Sequence, residues 1–333
     1  MPNLTLPSIT RAIDDKFMTV WYDIQKETED IVLNSNIVSA ALREKGCFVT
    51  QNGGKYITRG VSYALPTTKE VVKGDVFSQG EIETETQAEW QFKFVSGHVQ
   101  RNIFDDRECR SEHQIRDYVK IRLQKAKDAL ELAHETAFKK AFSATAETTD
   151  KSFQGLNELI PPYANRLTGT WGKMLRSDTL WIPQYKAMSA NPETNLISDM
   201  NNLYNTLKNK GKGQIAPDFI ICDQGTYEIY QDFALDASQI IKEDTTHLAD
   251  LGYDVLRYNG KTMVMDDNVK VSSKMQLLML STKKIEIVYD PAMWFEATEW
   301  KPIPLQGDRI MHILCAWNMV CSNPAKNGRL YES

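Results

Sequence analysis

The feature that most constrains the fold of this chain is an unbroken alternation of side-chain character between residues 81 and 94. The even positions, from Ile82 to Phe94, are apolar or threonine, whereas the odd positions, from Glu81 to Lys93, are polar and mostly charged. A period of two predicts a β-strand with one buried face and one solvated face. At about 3.3 Å per residue this strand would extend roughly 45 Å, whereas strands usually span about 17–20 Å. We therefore predict half of a projecting hairpin whose far end is covered by another copy of the chain.

The outgoing arm of this hairpin is predicted between residues 55 and 65, where apolar side chains alternate again. The connection over 66–80 is polar. Basic residues on the outgoing side would oppose acidic residues on the return side, which contributes up to about 1 kcal/mol per pair. The residues that we predict to make contacts between subunits are Lys55, Arg59, Lys69, Lys73, Glu81, Glu83 and Glu85.

Helices are predicted on both sides of the hairpin. The longest covers 111–144, where Ser111 and Gln114 form a capping box at its start. At 1.5 Å per residue it would be roughly 50 Å long. Before the hairpin, apolar residues spaced by close to 3.6 predict helices over 9–31 and 37–45.

The C-terminal half of the chain has an α/β pattern. An Asn259-Gly260 pair between two apolar runs is the signal of a type I′ hairpin turn. An amphipathic helix is predicted over 195–209, and a further helix over 226–235. Strands are predicted over 219–222, 255–258, 262–265, 275–280, 285–289 and 310–319.

Composition narrows the possible classes of protein. The chain has 333 residues, which suits two or more domains or one core with large excursions. Its composition, 42% hydrophobic and 25% charged, is typical of a soluble globular protein. A net charge of −5 argues against a polycation that grips nucleic acid or an anionic membrane. The five cysteines are scattered without a CxxC pair, which indicates reduced thiols and neither a disulfide framework nor a zinc site. We expect no signal peptide and no membrane span.

Several groups of residues have the composition of a chemical site without its spacing. Acidic residues over 105–112 come where a helix begins, and Asp266-Asp267 follows a strand at a turn, so both have ordinary structural explanations. The glycine- and lysine-rich segment 209–213 ends a helix instead of opening one, as a phosphate cradle would. We therefore predict no catalytic residue, no cofactor and no metal site. None of the five histidines lies in a chelating or catalytic motif: His98, His113, His134, His247 and His312.

The order of these parts resembles the major capsid protein of tailed bacteriophages. The stretches that carry the resemblance are Thr86 to Lys93, Phe153 to Asn157, Pro217 to Ile221, Gly260 to Asp266, and Asn327 to Leu330. The resemblance implies an α+β fold of five parts. These are an N-terminal arm (1–51), an extended β-hairpin loop (52–97), a peripheral domain (98–213) with the spine helix 111–144, an apical α/β domain (214–285), and a return to the peripheral domain (286–333).

The resemblance also implies a function. We expect a structural protein and no enzyme, which assembles as hexamers and pentamers into the icosahedral head of a tailed phage. The head would enclose double-stranded DNA without sequence-specific binding, with scaffolding and portal proteins as further partners and no membrane. The protein would be located in the virion capsid after assembly in the host cytoplasm.

Two alternatives remain open at this point. The first is an encapsulin-type nanocompartment shell, which shares the fold and differs in its cargo. The second is an oligomeric α/β enzyme built on residues 214–290, with the arms as oligomerisation devices. The enzyme is the weaker alternative because no catalytic site is recognisable in the sequence.

Overall fold

The structure is a computed structural model. It describes residues 13–21, 36–62, 70–73, 75, 85–102, 112–144, 153–178, 181–210, 216–236, 255–267, 274–304 and 307–332. In these ranges, the strands form a five-stranded sheet, a six-stranded sheet and two sheets of two strands each.

The elements are numbered here in chain order. The helices are α1 (residues 13–21), α2 (Ile37–Glu44), α3 (Glu112–Lys139), α4 (Leu156–Leu159), α5 (Pro192–Lys210) and α6 (Gln224–Asp236). The first strands are β1 (Phe48–Thr50), β2 (Tyr56–Ser62), β3 (Glu85–Gln91), β4 (Lys93–Asn102), β5 (Thr170–Trp171), β6 (Met174–Leu175) and β7 (Gln184–Ala187). The remaining strands are β8 (Phe219–Cys222), β9 (Val255–Tyr258), β10 (Lys261–Met265), β11 (Gln276–Leu280), β12 (Ile285–Ala297), β13 (Lys301–Pro302), β14 (Asp308–Cys321) and β15 (Gly328–Tyr331).

The five-stranded sheet is organised around β14. Strand β4 pairs antiparallel with one edge of β14, β12 and β13 pair antiparallel with the other edge, and β1 adds to β12 in parallel. Helix α3 covers one face of β4. It can approach closely because Gly97 has no side chain, and a Cβ there would lie 3.2 Å from Cγ of Leu130.

The N-terminal helix α1 packs on this same layer with its apolar side chains and is also held there by one charged side chain. Asp14 forms an ion pair with Arg101 of β4 at 2.6 Å and a second ion pair with Arg309 of β14. The Arg101 guanidinium is buried and also lies 4.7 Å from the ring centroid of Trp300. Helix α1 is thus tied to two neighbouring strands of the sheet.

The six-stranded sheet has the strand order β7-β15-β11-β8-β10-β9, and α5 packs against it. The buried residues of α5 recur at helical spacing: Leu196, Met200, Leu203 and Leu207. The sequence-based domains divide this unit, because they assign α5 and β7 to 98–213, the central strands to 214–285, and β15 to 286–333. Strands β7 and β15 were not predicted, since each has four residues and neither alternates clearly between apolar and polar side chains.

The long helix is shorter than the predicted 111–144. Helix α3 ends at Lys139 because the next segment of chain packs across its end. A Cβ at Gly155 would lie 2.5 Å from the carbonyl oxygen of Ala137, and Asn157 donates a hydrogen bond to the carbonyl of Lys140. Ser111 and the side chain of Gln114, which form the predicted capping box, lie outside the described residues. So does most of the predicted helix 9–31.

The predicted strand 81–94 divides into two strands in different sheets. Strand β3 ends at Gln91, Phe92 belongs to neither strand, and β4 begins at Lys93. This one-residue interruption reverses the alternation, so Lys93 is 5% exposed and Phe94 is 64% exposed. The prediction that Phe94 shares the buried face of Trp90 is therefore wrong. The described hairpin ends at Gln91, six residues before the predicted limit at 97.

An aromatic cluster joins α3 to the five-stranded sheet. Phe153 stacks on Trp317 of β14 with ring centroids 3.8 Å apart, and His134 of α3 lies 4.8 Å from the same ring. The His134 ring is fully buried and shares a hydrogen bond of 2.9 Å with the hydroxyl of Ser39 in α2. Burial lowers the pKa of His134 from its ordinary 6.5 to about 3, so the ring is neutral at physiological pH.

We expect this buried histidine to make the fold acid-sensitive. The unfolded chain takes up a proton at His134 below pH 6.5, whereas the folded chain resists protonation until about pH 3. Stability is therefore complete above pH 6.5 and falls as the pH is lowered, by about 2–3 kcal/mol at pH 4.5. The variant His134→Gln keeps a hydrogen-bonding group but does not titrate, so its denaturant-unfolding profile should be flatter over pH 6.5–4.5. Parallel profiles of the two proteins would contradict the assignment.

Candidate subunit-contact surface

The hairpin formed by β2 and β3 has one core-facing side and one solvated side. Its register pairs Ile57 with Trp90 and Arg59 with Ala88, and ends in the described part with Ser62 opposite Glu85. Ile57, Ala88 and Trp90 are buried, whereas Glu85 and Gln87 on the other face are exposed. Within the described residues, the outer face is therefore uncovered at Glu85 and Gln87.

The base of the hairpin is fixed firmly to the body of the protein. The Trp90 ring meets Trp171 edge-to-face with centroids 6.2 Å apart, and the Glu89 amide donates to the carbonyl of Gly172 at 3.1 Å. Gly172 has φ +62°, and a Cβ on it would lie 2.6 Å from Cζ2 of Trp90. Glycine at this position thus leaves room for the indole. The base of the hairpin is held on the body by this packing and by the backbone hydrogen bond.

The residues predicted to contact another subunit fall into different environments. Lys55 is exposed, with its Nζ 5.2 Å from the ring centroid of Tyr56, and Lys73 and Glu85 are also exposed. Arg59 is half-buried and already bound to Glu286 of the same chain, with Nη2 to Oε2 at 2.6 Å. The remaining predicted contact residues lie outside the described ranges: Lys69, Glu81 and Glu83.

The structure corrects the predicted pairing of charges across the hairpin. Arg59 lies opposite Ala88 on the core-facing side, because odd-numbered residues of β2 point inwards, so it cannot face a glutamate of β3. Glu89 instead forms an ion pair with Lys173, whose Nζ also lies 4.4 Å from the ring centroid of Tyr56. The charges at the base of the hairpin thus bind the body of the chain.

An apolar group in the connection between β2 and β3 was not predicted as a contact. Val72 is 78% exposed in a tight turn, in which its amide donates to Asp75 Oδ2 at 3.0 Å. Val71 beside it is 43% exposed. The two adjacent valines within the connection over 66–80 were the available signal. An exposed apolar pair at this position fits a contact with another molecule.

The polar clusters of the second sheet have structural roles. The Asp223 carboxylate accepts hydrogen bonds from the Thr226 hydroxyl and from the amides of Gly225 and Gln276, so it caps the start of α6 and holds β11. The amide of Gln224 donates to Asp267 at 3.3 Å. Carboxylates that satisfy backbone donors in this way are structural parts of the fold.

Three of the described cysteines are also poor nucleophiles. Burial raises the pKa of Cys47 and of Cys321 to about 12, and raises that of Cys222 as well. A thiol that stays protonated at physiological pH neither attacks carbon nor binds metal well. Within the described ranges, no group of three or more His, Cys, Asp and Glu side chains could hold a metal ion. No helix in that part of the chain is long and apolar enough to cross a membrane.

The arrangement of the sheets, the long helix and the hairpin matches solved capsid structures. A chain of the cyanophage A-1(L) capsid asymmetric unit superposes with a TM-score of 0.63 at 15% identity, covering 89% of this chain and 92% of that one. This chain has the tailed-phage capsid fold. The capsid of a native GTA particle gives a TM-score of 0.53 at 9% identity, over 88% and 90% of the two chains. The capsid of Myoviridae phage XM1 gives 0.52 at 11%, over 87% and 90%.

The likeness to these capsid proteins is one of fold. No protein-family model and no curated protein matches the sequence. Two of the stretches that carried the sequence resemblance nevertheless meet within the fold, since Nη2 of Arg329 donates to Oδ1 of Asn157 at 2.6 Å. The Arg329 guanidinium is fully buried there, and burial lowers its pKa to about 10.

Proposed function

We propose that this protein is the major subunit of the icosahedral head of a tailed phage, and that its activity is association with copies of itself. The observation that carries the proposal is the β2–β3 hairpin on a capsid fold. It is a sheet of only two strands, it is rigidly seated at Trp90, and its outer face is exposed. An isolated two-stranded hairpin is marginally stable in water. The described part of this hairpin is stabilised by its inner face, which leaves the outer face at Glu85 and Gln87 open to a second molecule.

Association through such an arm leads to a closed shell. The hairpin of one copy would meet a different surface of the next copy, which makes the contact heterologous. Heterologous contacts generate rings when the rotation closes. Hexamers and pentamers are the rings from which an icosahedral shell is built, so the proposed partners are copies of this chain, assisted by scaffolding and portal proteins.

The proposed cargo of the shell is double-stranded DNA, and its site of assembly the host cytoplasm. The net charge of −5 favours enclosure without tight binding, because gripping of DNA phosphates depends on clustered lysine and arginine. We do not propose an enzyme, since the carboxylates and thiols described above are occupied structurally or held protonated. An encapsulin-type shell remains the second candidate on fold alone, and its particles would contain protein cargo in place of nucleic acid.

Electron microscopy of the full chain tests this proposal. Purified protein supplied with its scaffolding protein should form capsomers, tubes or closed shells at physiological salt. Analysis of shells from the native source should find double-stranded DNA inside. A stable monomer at high concentration with the scaffold present would contradict the proposal, and shells filled with an enzyme would favour the encapsulin alternative.

A further inference from the structure

Two histidines that are more than two hundred residues apart in sequence lie side by side on the five-stranded sheet. The antiparallel register of β4 and β14 places His98 directly opposite His312. Residues opposite each other on adjacent strands point to the same face of a sheet. No pattern along the chain indicated this pair, because neither histidine has another His, Cys, Asp or Glu two residues away, the spacing that shares a strand face.

The hydrogen bonds of His312 show which kind of cross-strand pair this is. Its amide donates to Oγ1 of Thr298 at 2.9 Å, and its carbonyl accepts from the Thr298 amide at 2.7 Å. Thr298 lies between β12 and β13, along the edge of β14 that faces away from β4. The backbone groups of His312 thus point away from His98, which makes the two a non-hydrogen-bonded pair. In such pairs the Cα atoms are only about 4.5 Å apart and the side chains approach most closely.

Both rings are on the side of the sheet away from helix α3. Gly97 and Val99, which flank His98, point towards α3: a Cβ on Gly97 would meet Leu130, and Val99 is buried. Alternation therefore directs His98 to the opposite face, where it is exposed and His312 is half-buried. Glu296 lies opposite Leu314 and Lys301 lies opposite Ile310, one position along this face on either side of His312, and both are exposed. The two flanking charges therefore offset each other.

We propose that His98 and His312 form a two-imidazole site for a borderline divalent transition-metal ion such as Zn²⁺ or Cu²⁺. Imidazole is a preferred ligand of these ions, whereas Mg²⁺ and Ca²⁺ take oxygen ligands. At Zn–N distances of about 2.0–2.1 Å, the two nitrogens of a tetrahedral site lie roughly 3.3 Å apart. From these cross-strand positions, the two side chains can reach that separation by rotation about χ1 and χ2. Water completes the coordination on the open face.

Isothermal titration calorimetry of the unassembled full chain with Zn²⁺ tests the site. The proteins compared are the wild type, His98→Gln, His312→Gln and the double variant, with Ser96→Ala, an exposed neighbour of His98, as the matched control. Changing groups that merely orient a ligand costs about 10–100-fold in metal affinity, so losing a direct ligand should cost at least about tenfold. The double variant should be no weaker than either single variant, because one imidazole alone cannot chelate.

The control measurements separate this site from general binding of cations. Ser96→Ala should bind Zn²⁺ as the wild type does, and Mg²⁺ should bind none of the proteins at this place. The proposal is overturned if the wild type and the double variant bind Zn²⁺ equally well. It is also overturned if the losses from the two single variants add up, since that would mean two independent histidines.

Discussion

Replacing Trp90 with alanine is expected to lower the free energy of unfolding by about 3–5 kcal/mol, the usual range for a large buried aromatic. The indole is 2% exposed, faces Ile57 across the hairpin, and meets Trp171 edge-to-face at 6.2 Å. The backbone of Gly172 lies close against the ring, and glycine has no side chain that could fill the cavity left by the indole. Thermal and urea unfolding of the full chain measure the effect.

The same strand provides a matched control. Gln87 is exposed on the outer face of β3, opposite Gly60, and Gln87→Ala should change stability by no more than about 0.5 kcal/mol. The two variants truncate side chains on opposite faces of the same strand. Equal and small effects would mean that the hairpin is not seated in the body of the protein through its inner face.

Short sequence patterns were sufficient to predict the strands and turns that depend only on neighbouring residues. Strands β8 and β9 match the predicted 219–222 and 255–258. The turn between β9 and β10 has φ +49° at Asn259 and +71° at Gly260, as a type I′ turn requires. A short apolar run favours a buried strand and the Asn-Gly dipeptide favours a type I′ turn, so these elements can be predicted from the sequence alone.

Features that depend on distant parts of the chain were not predictable in this way. The exposure of Phe94 follows from a single residue between two sheets, and the ion pair of Arg59 follows from the position of Glu286. The close pair of His98 and His312 depends on the register of β14 against β4. Tertiary packing determines each of these features. The alternation of side chains along one strand cannot predict them, because it contains no information about distant segments.

The strongest test of the proposed arm is a reversal of charge near its tip. Glu85 is exposed and lies opposite Ser62. Glu81 and Glu83 lie outside the described residues, and the alternation of the sequence predicts that they share the face of Glu85. If this face meets basic groups of a neighbouring subunit, changing all three glutamates to lysine should abolish or strongly reduce shell formation. Electron microscopy of particle yield, scored beside the wild type, measures the outcome.

The same triple change should leave the isolated subunit almost unaffected. Exposed ion pairs contribute only about 0–1 kcal/mol each to folding, so the melting temperature should barely move. A shell repeats the same contact at every subunit, and a small repulsion is therefore multiplied over the whole particle. Changing the three glutamates to glutamine keeps their size but removes the repulsion, so it should reduce the yield of particles less. Normal shells from the lysine variant would remove the reason for assigning this hairpin to the contact between subunits.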